Sequence, residues 1–212
     1  MGSDTSVPRR ARAARLPPEQ RRPMVLDAAL RVYLEQGYER TSMESIAEVA
    51  GVAKPVLYDC FASKQELFRA LGEREERRLV EALSASLRGP VDLSDPERTI
   101  AQGFTAFFAA VQAAPDSFRL ILLEEQGTGP GAARRGNETR VVQAERIAAL
   151  VGRWLSARGE ADADRTAHLL GHVMVGMGEA LARLMLAEPG RWSPEELGAT
   201  LAGLVLRGAG ER

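Results

Sequence analysis

No segment of this chain carries the long β-branched run from which a strand is built. Ala, Leu, Glu and Arg dominate almost every stretch, and the breaks fall at Gly and Pro clusters. That pattern confines the chain to an all-α fold. Helices are expected at about Pro18–Gln36, Thr41–Ala50, Lys54–Cys60, Ser63–Leu87, Asp95–Ala114, Asp116–Gln126, Asn137–Ala157, Asp162–Ala187 and Ser193–Arg207, nine in total. Local punctuation supports the early boundaries. Gly37 follows the first helix as a C′ residue would. Thr41 with Glu44 three residues on has the spacing of a capping box, as does Ser63 with Glu66. Gly51 ends the second helix, and Pro55 is acceptable in the first turn of the third, where an N–H has no intrahelical partner. The stretch GTGPGAARRG, Gly127 to Gly136, reads as a mobile loop.

The chain is long enough, at 212 residues, for one or two domains with a real hydrophobic core. No apolar run approaches the ~20 residues a membrane span needs. The N-terminal MGSDTSVPRRARAARLPP has arginines but no apolar stretch after them, which is not the pattern of a signal peptide, so a cytoplasmic chain with no membrane partner is expected. A lone cysteine, Cys60, cannot form an internal disulfide and fits a reducing compartment. The overall net charge of −1 carries no basic signature, but its distribution is uneven. Residues 1–22 carry six arginines, Arg9, Arg10, Arg12, Arg15, Arg21 and Arg22, against Asp4 and Glu19, whereas the part from Glu73 onward is net acidic. An arm of this kind either meets an anionic partner or is simply a solvated tail. Only two lysines are present, Lys54 and Lys64, both in the early helices.

Two short helices separated by Gly51 make a helix-turn-helix, a unit that places its second helix in a DNA major groove. The bare pattern is weakly specific, because helix–Gly–helix turns are common in all-α proteins. The residues around it narrow the reading. From Asp27 the chain runs DAALRVYLEQGYERTSMESIAEVAGVAKPVLYDCFASKQELFRAL. Tyr33 with Gly37-Tyr38, then Thr41-Ser42, Ile46-Ala47, Gly51-Val52, Leu57-Tyr58, and Phe61 with Ser63-Lys64 and Leu67, closely resemble the N-terminal domain of TetR-family regulators. The resemblance covers about a third of the chain, from Asp27 to Leu71. It implies a basic flexible arm over 1–17, a three-helix DNA-binding domain over 18–72 and a ligand-sensing and dimerisation domain over 73–212.

With that resemblance in place, the chemistry of each position suggests a role. Thr41 and Ser42 stand at a helix N-terminus, where free N–H groups and the positive dipole end attract phosphate; a plain N-cap is the blander role and is compatible with it. Lys64 follows the next cap and can meet a phosphate across the groove. Tyr58 either sets its hydroxyl on a phosphate or is a half-buried packing tyrosine. Lys54 can reach a guanine edge or a phosphate, while Pro55 and Val56 can read thymine methyls. Ile46, Val49, Leu57 and Phe61 are expected in the core. Arginines of the arm suit the minor groove or phosphates, although Arg21 and Arg22 can equally be surface charges. Several residues depart from the family pattern: Ala53 where a serine often caps, Val56 for Ser or Thr, and Asp59 with Cys60 where aromatic or His residues are common. Asp59 either accepts from a cytosine amino group or points away.

In the remaining two-thirds, the resemblance is one of architecture. Gly171, Val175 and Gly178 share one stripe of the eighth helix, and Leu197, Leu201 and Leu204 one stripe of the ninth, where Gly198 and Ala202 repeat the small-residue theme. Both stripes are expected at a homodimer interface, as a two-fold operator demands. For a small-molecule effector, Phe104, Phe107, Phe108, Phe118, Trp154, Met174 and Met177 are candidate pocket residues, with His172, Glu124 and Glu125 as polar ones; any one of the apolar residues could equally be core. His168 and His172, the only histidines, lie four apart on one helical face. That spacing suits either interface polarity or a metal with Asp164 as third ligand, but no glutamate lies between them, which excludes a zincin-type peptidase.

There is no phosphate loop, no GxSxG elbow and no cysteine with a histidine nearby in sequence, so neither an enzyme nor a cofactor is expected. The rivals are a helical interaction protein that keeps the fold without reading DNA, favoured by Ala53 and Asp59, and a constitutive regulator that keeps the fold without ligand control. The resemblance implies a repressor of a double-stranded operator, released when a ligand favours a conformation whose two recognition helices no longer match successive major grooves.

Overall fold

The computed structural model describes residues 17–86, 94–125 and 132–210. Among them are nine helices and no strand: α1 (Pro18–Arg40), α2 (Met43–Ala50), α3 (Lys54–Cys60), α4 (Lys64–Ser86), α5 (Pro96–Ala113), α6 (Pro115–Glu125), α7 (Ala132–Ala157), α8 (Ala163–Ala187) and α9 (Pro194–Gly210). The chain is all-α, as its residue pattern requires.

The helix boundaries follow local chemistry. Gly37 breaks α1 internally, at φ 78° and ψ 170°, a conformation that L side chains rarely adopt. Gly51 closes α2 in the left-handed region at φ 70°. The cap of α2 differs from the expected one. Thr41 ends α1 instead, its hydroxyl donating to the Gly37 carbonyl at 2.7 Å. Ser42 is the N-cap, and it exchanges hydrogen bonds with Ser45 rather than with a glutamate: the Ser45 N–H donates to Ser42 Oγ and the Ser42 N–H to Ser45 Oγ, each at 3.1 Å. Thr41 is one residue too early, and its hydroxyl is committed to the Gly37 carbonyl of the preceding helix. Asp95 caps α5 by accepting from the Arg98 N–H at 3.0 Å. The segment expected as a loop over Gly127 to Gly136 is helical from Ala132 onward, where α7 starts; Gly127 to Gly131 lie outside the described residues.

Two compact units result. The first runs through to Glu76 and takes in Arg119–Ala133; the second comprises Arg77–Phe118 and Arg134–Arg212. The first unit therefore includes residues far along the chain that no boundary near Gly72 would give it. Its core gathers Val25, Tyr33, Ile46, Leu57, Phe61, Leu67 and Leu71, and Leu120 from α6 is buried in the same cluster. Arg74 of α4 ties back to α1, its Nη1 2.7 Å from Asp27 Oδ1 and 3.3 Å from the Pro23 carbonyl. In the second unit, α5 packs along α9, and α8 touches both. Phe104, Phe107, Phe108 and Phe118 stack edge and face, with centroids 5.3–6.3 Å apart. One helix among the described residues, α8, is long and apolar enough to cross a membrane by length and composition, a feature that a search for uninterrupted apolar runs does not register.

Glycines decide how closely the helices of this unit approach. A Cβ at Gly171 would stand 2.3 Å from the Ala144 carbonyl oxygen of α7, and one at Gly198 would stand 2.2 Å from Thr105 Oγ1 of α5. A Cβ at Gly178 would meet the rings of Phe104 and Phe107 at 3.5 Å, an ordinary contact distance. Gly171 and Gly178, expected on a subunit interface, are thus buried inside the chain, as are Leu197 and Leu201. Close intrachain packing selects the same small residues that close packing between subunits would, so the stripe alone could not tell the two apart. Val175 is half-buried, whereas Leu204 is 51 % exposed.

Candidate nucleic-acid interface

The exposed face of the first unit is built by α2, its Gly51 turn and α3. In α3, Leu57 and Cys60 point into the core and Val56 packs against its edge. Between them, Lys54, Pro55, Tyr58 and Asp59 are exposed, Tyr58 at 41 %. A seven-residue helix with one buried and one solvated face is what a recognition helix must be: anchored from behind, free in front. Val49, expected in the core, is 39 % exposed and joins this surface. It lies on the solvent side of α2, opposite Ile46, Ala47 and Ala50.

The cations here are already engaged. Lys54 Nζ pairs with Glu44 Oε1 across the turn, and it lies 5.9 Å from the Tyr58 ring centroid. The hydrogen bond and charge of Glu44 hold Lys54 above its usual pKa, and the bond from Lys54 lowers that of Glu44. Both side chains are exposed, so a phosphate can exchange for the carboxylate. Lys64 is held differently. Its Nζ donates to the Tyr38 carbonyl at 2.5 Å and sits 4.0 Å from the Tyr38 ring centroid. Burial pushes its ammonium below the ordinary lysine value. Lys64 therefore anchors the end of α1 to the start of α4. Thr41 is buried and its hydroxyl committed, which leaves Ser42 as the more accessible of the two residues at the α2 terminus.

Arg22 has a role that its position on α1 did not reveal. Its Nη1 donates to the Cys60 carbonyl at 2.7 Å, and its guanidinium lies 4.3 Å above the Phe61 ring. Cys60 is the last residue of α3, so Arg22 satisfies a carbonyl at the negative end of that helix. Sequence periodicity holds no signal for such a contact, because the partners are 38 residues apart. The N-cap position of α3, Ala53, makes no side-chain cap hydrogen bond. Arg9, Arg10, Arg12 and Arg15 lie outside the described residues.

Of the residues expected around an effector, the four phenylalanines of α5 and α6 stack on one another; on α8, Met174 is buried and Met177 half-buried. Two do not join them. Trp154 packs in a separate cluster with Val151, Leu155, Ala163 and Leu170, under the Arg158 guanidinium at 5.1 Å. His172 is exposed, on a different face of α8 from Met174. The side chains of Glu124 and Glu125 lie outside the described residues.

Three anchored helices, with the last presenting a polar face beyond a left-handed glycine, define a helix-turn-helix protein. Comparison with known proteins then identifies which kind. Residues 25–71 match the model of the family described as bacterial regulatory proteins, tetR family. The chain is 36 % identical over 122 residues to the HTH-type transcriptional activator FasR of Mycolicibacterium smegmatis, which covers 58 % of this chain and 54 % of that protein. It is 32 % identical over 86 residues to the HTH-type transcriptional repressor AcnR of Corynebacterium glutamicum, covering 38 % and 45 % respectively. The chain spans about half the length of these curated relatives or less. A TetR-like transcriptional regulator from Rhodococcus sp. RHA1 superposes with a TM-score of 0.70 at 29 % identity, over 93 % of this chain and all of that one. Over residues 25–71 the chain is therefore similar to TetR-family regulators in sequence, and over most of its length it is similar in fold to a TetR-like regulator.

Proposed function

We propose that this protein is a sequence-specific, DNA-binding transcriptional regulator that acts as a homodimer in the cytoplasm, and a repressor released from its operator by a small molecule. The observation that carries the reading is the division of α3: Leu57 and Cys60 are locked in the core, while Lys54, Pro55, Tyr58 and Asp59 are exposed to solvent. Relatives named as regulators, rather than enzymes, support it. Val56 lies at the edge of the exposed face, within reach of a thymine methyl. Lys64 acts by fixing the loop before α4. One relative is named an activator, which favours activation as the second reading of the sign of control.

The test is binding to the DNA upstream of the protein's own gene against scrambled DNA at several salt concentrations. Selective binding that weakens with salt is expected. Lys54→Ala should lower the slope of log K against log salt by roughly 0.9, the value of one phosphate contact, and Tyr58→Ala should weaken operator binding while leaving non-specific binding less affected. Equal, weak binding to every DNA tested, unchanged by either substitution, would favour the interaction-protein rival.

For self-association, the free apolar surface of α8 and α9 is the support. Leu169 is 59 %, Val173 52 % and Leu204 51 % exposed. Leu169 and Val173 are one turn apart on α8, so they form a single patch. Val173→Asp is expected to shift the protein from dimer to monomer in analytical ultracentrifugation. A variant that sediments like the parent would remove this face from consideration.

The stacked rings of Phe104, Phe107, Phe108 and Phe118, with Met174 and Met177, make the apolar environment in which an effector would be held. A ligand bound there is expected to favour one conformation of the regulator over the other.

A further inference from the structure

The two histidines of this chain lie one turn apart on α8, with ring centroids 4.6 Å apart. From α7, Glu145 reaches the same place, its Oε1 2.9 Å from His168 Nδ1. One ligand-competent atom from each of the three lies within 4.8 Å of the other two. We propose that Glu145, His168 and His172 form a binding site for a divalent transition-metal ion of the zinc type on the second unit.

The convergence is built into the packing of the two helices. Gly171 faces Ala144 so closely that a Cβ there would stand 2.3 Å from the Ala144 carbonyl oxygen. Gly171 is the neighbour of His172, and Ala144 the neighbour of Glu145. The point of tightest backbone approach thus lies one residue from two of the three ligands, and it sets the distance between the helices where the ion would bridge them. The sequence spacing suggested Asp164 as the third ligand. Asp164 lines the same cleft as Glu145 and His168, but the group that meets both histidines is the carboxylate from the neighbouring helix.

The donor set names the class of ion. Two imidazoles and one carboxylate suit zinc, copper(II) or nickel(II), whereas calcium and magnesium prefer all-oxygen shells. Three protein ligands with a fourth position left to water is a recurring zinc arrangement. His172 Nδ1 is 3.1 Å from the His168 carbonyl oxygen, and an N–H donated there leaves Nε2 as the basic nitrogen. Zinc ligands sit about 2.0–2.2 Å from the ion, so the side chains must draw in from their present spread. All three are exposed. The ion takes the place of the present 2.9 Å contact between His168 Nδ1 and Glu145 Oε1.

The experiment is calorimetric titration of the untagged full chain with zinc chloride, repeated with Glu145→Gln, His172→Ala and the His168→Ala/His172→Ala double variant. Because the three residues are exposed, circular dichroism should show every variant folded like the parent. One equivalent of zinc per chain is expected, weakened at least about tenfold by Glu145→Gln and by His172→Ala, and lost in the double variant. Cobalt(II) should give visible ligand-field bands with the parent and not with the double variant. Absence of saturable binding, binding unchanged in the double variant, or full affinity in Glu145→Gln would each overturn the assignment.

Discussion

Replacing Phe61 with alanine is expected to cost about 3–5 kcal/mol of stability. Phe61 is wholly buried at the end of α3, in the cluster that joins α1, α2, α3 and α4. Truncation removes the transfer energy of the ring and leaves a cavity in a close-packed core. It also removes the surface on which Arg22 lies, 4.3 Å from the ring centroid, and so loosens the guanidinium that holds the Cys60 carbonyl. A loss of that size is a large share of a typical domain's total stability of about 5–15 kcal/mol. Urea unfolding followed by circular dichroism should show the midpoint fall, and operator binding should fall with it although Phe61 is not on the exposed face. A change below about 1 kcal/mol, typical of a surface site rather than a core one, would contradict the packing described for α3.

Gly171→Val is the second large effect, and its origin is the reverse: too much volume. The added Cβ alone would meet the Ala144 carbonyl oxygen at 2.3 Å, and that oxygen belongs to a helix backbone that cannot swing aside as a flexible side chain could. Overpacking of this kind costs about 1–3 kcal/mol, and valine recovers little helix propensity over glycine to offset it. Gly103, within α5, is the matched contrast, since a Cβ there would meet nothing within 4 Å. Gly103→Ala should therefore stabilise by up to about 1 kcal/mol through propensity alone. Thermal unfolding of the two variants beside the parent reads both signs. If Gly171→Val melted with the parent, the close approach of α7 and α8 would be refuted. Because that approach also sets the separation of Glu145 from the histidines, Gly171→Val should weaken zinc binding in the titration above.

The residues that could be read directly were those whose reasons are local. Gly51 and Pro55 mark helix ends through their own backbone chemistry, and the apolar spacing of Ile46, Leu57 and Phe61 follows the helical period. Their places were legible for that reason. The role of Thr41 was not legible, because its hydroxyl turns back to the Gly37 carbonyl of α1, beside a backbone break that a propensity pattern does not show. Val49 was misread because a valine at the right register can still fall on the solvent side when its neighbours already fill the core.

By itself, the sequence determined the helical class, the helix-turn-helix and its turn, and the positions on α3 that stand exposed. These depend on residues near one another in the chain, through periodicity, capping and turn geometry. The tertiary structure alone decided which partners those residues keep: Glu44 for Lys54, the Tyr38 carbonyl for Lys64, Arg22 for the end of α3, and Glu145 rather than Asp164 beside the histidines. It also decided that Gly171 serves close packing within the chain. Such choices depend on which helix faces meet, and small residues, charges and histidines carry the same local signature whichever neighbour they finally face.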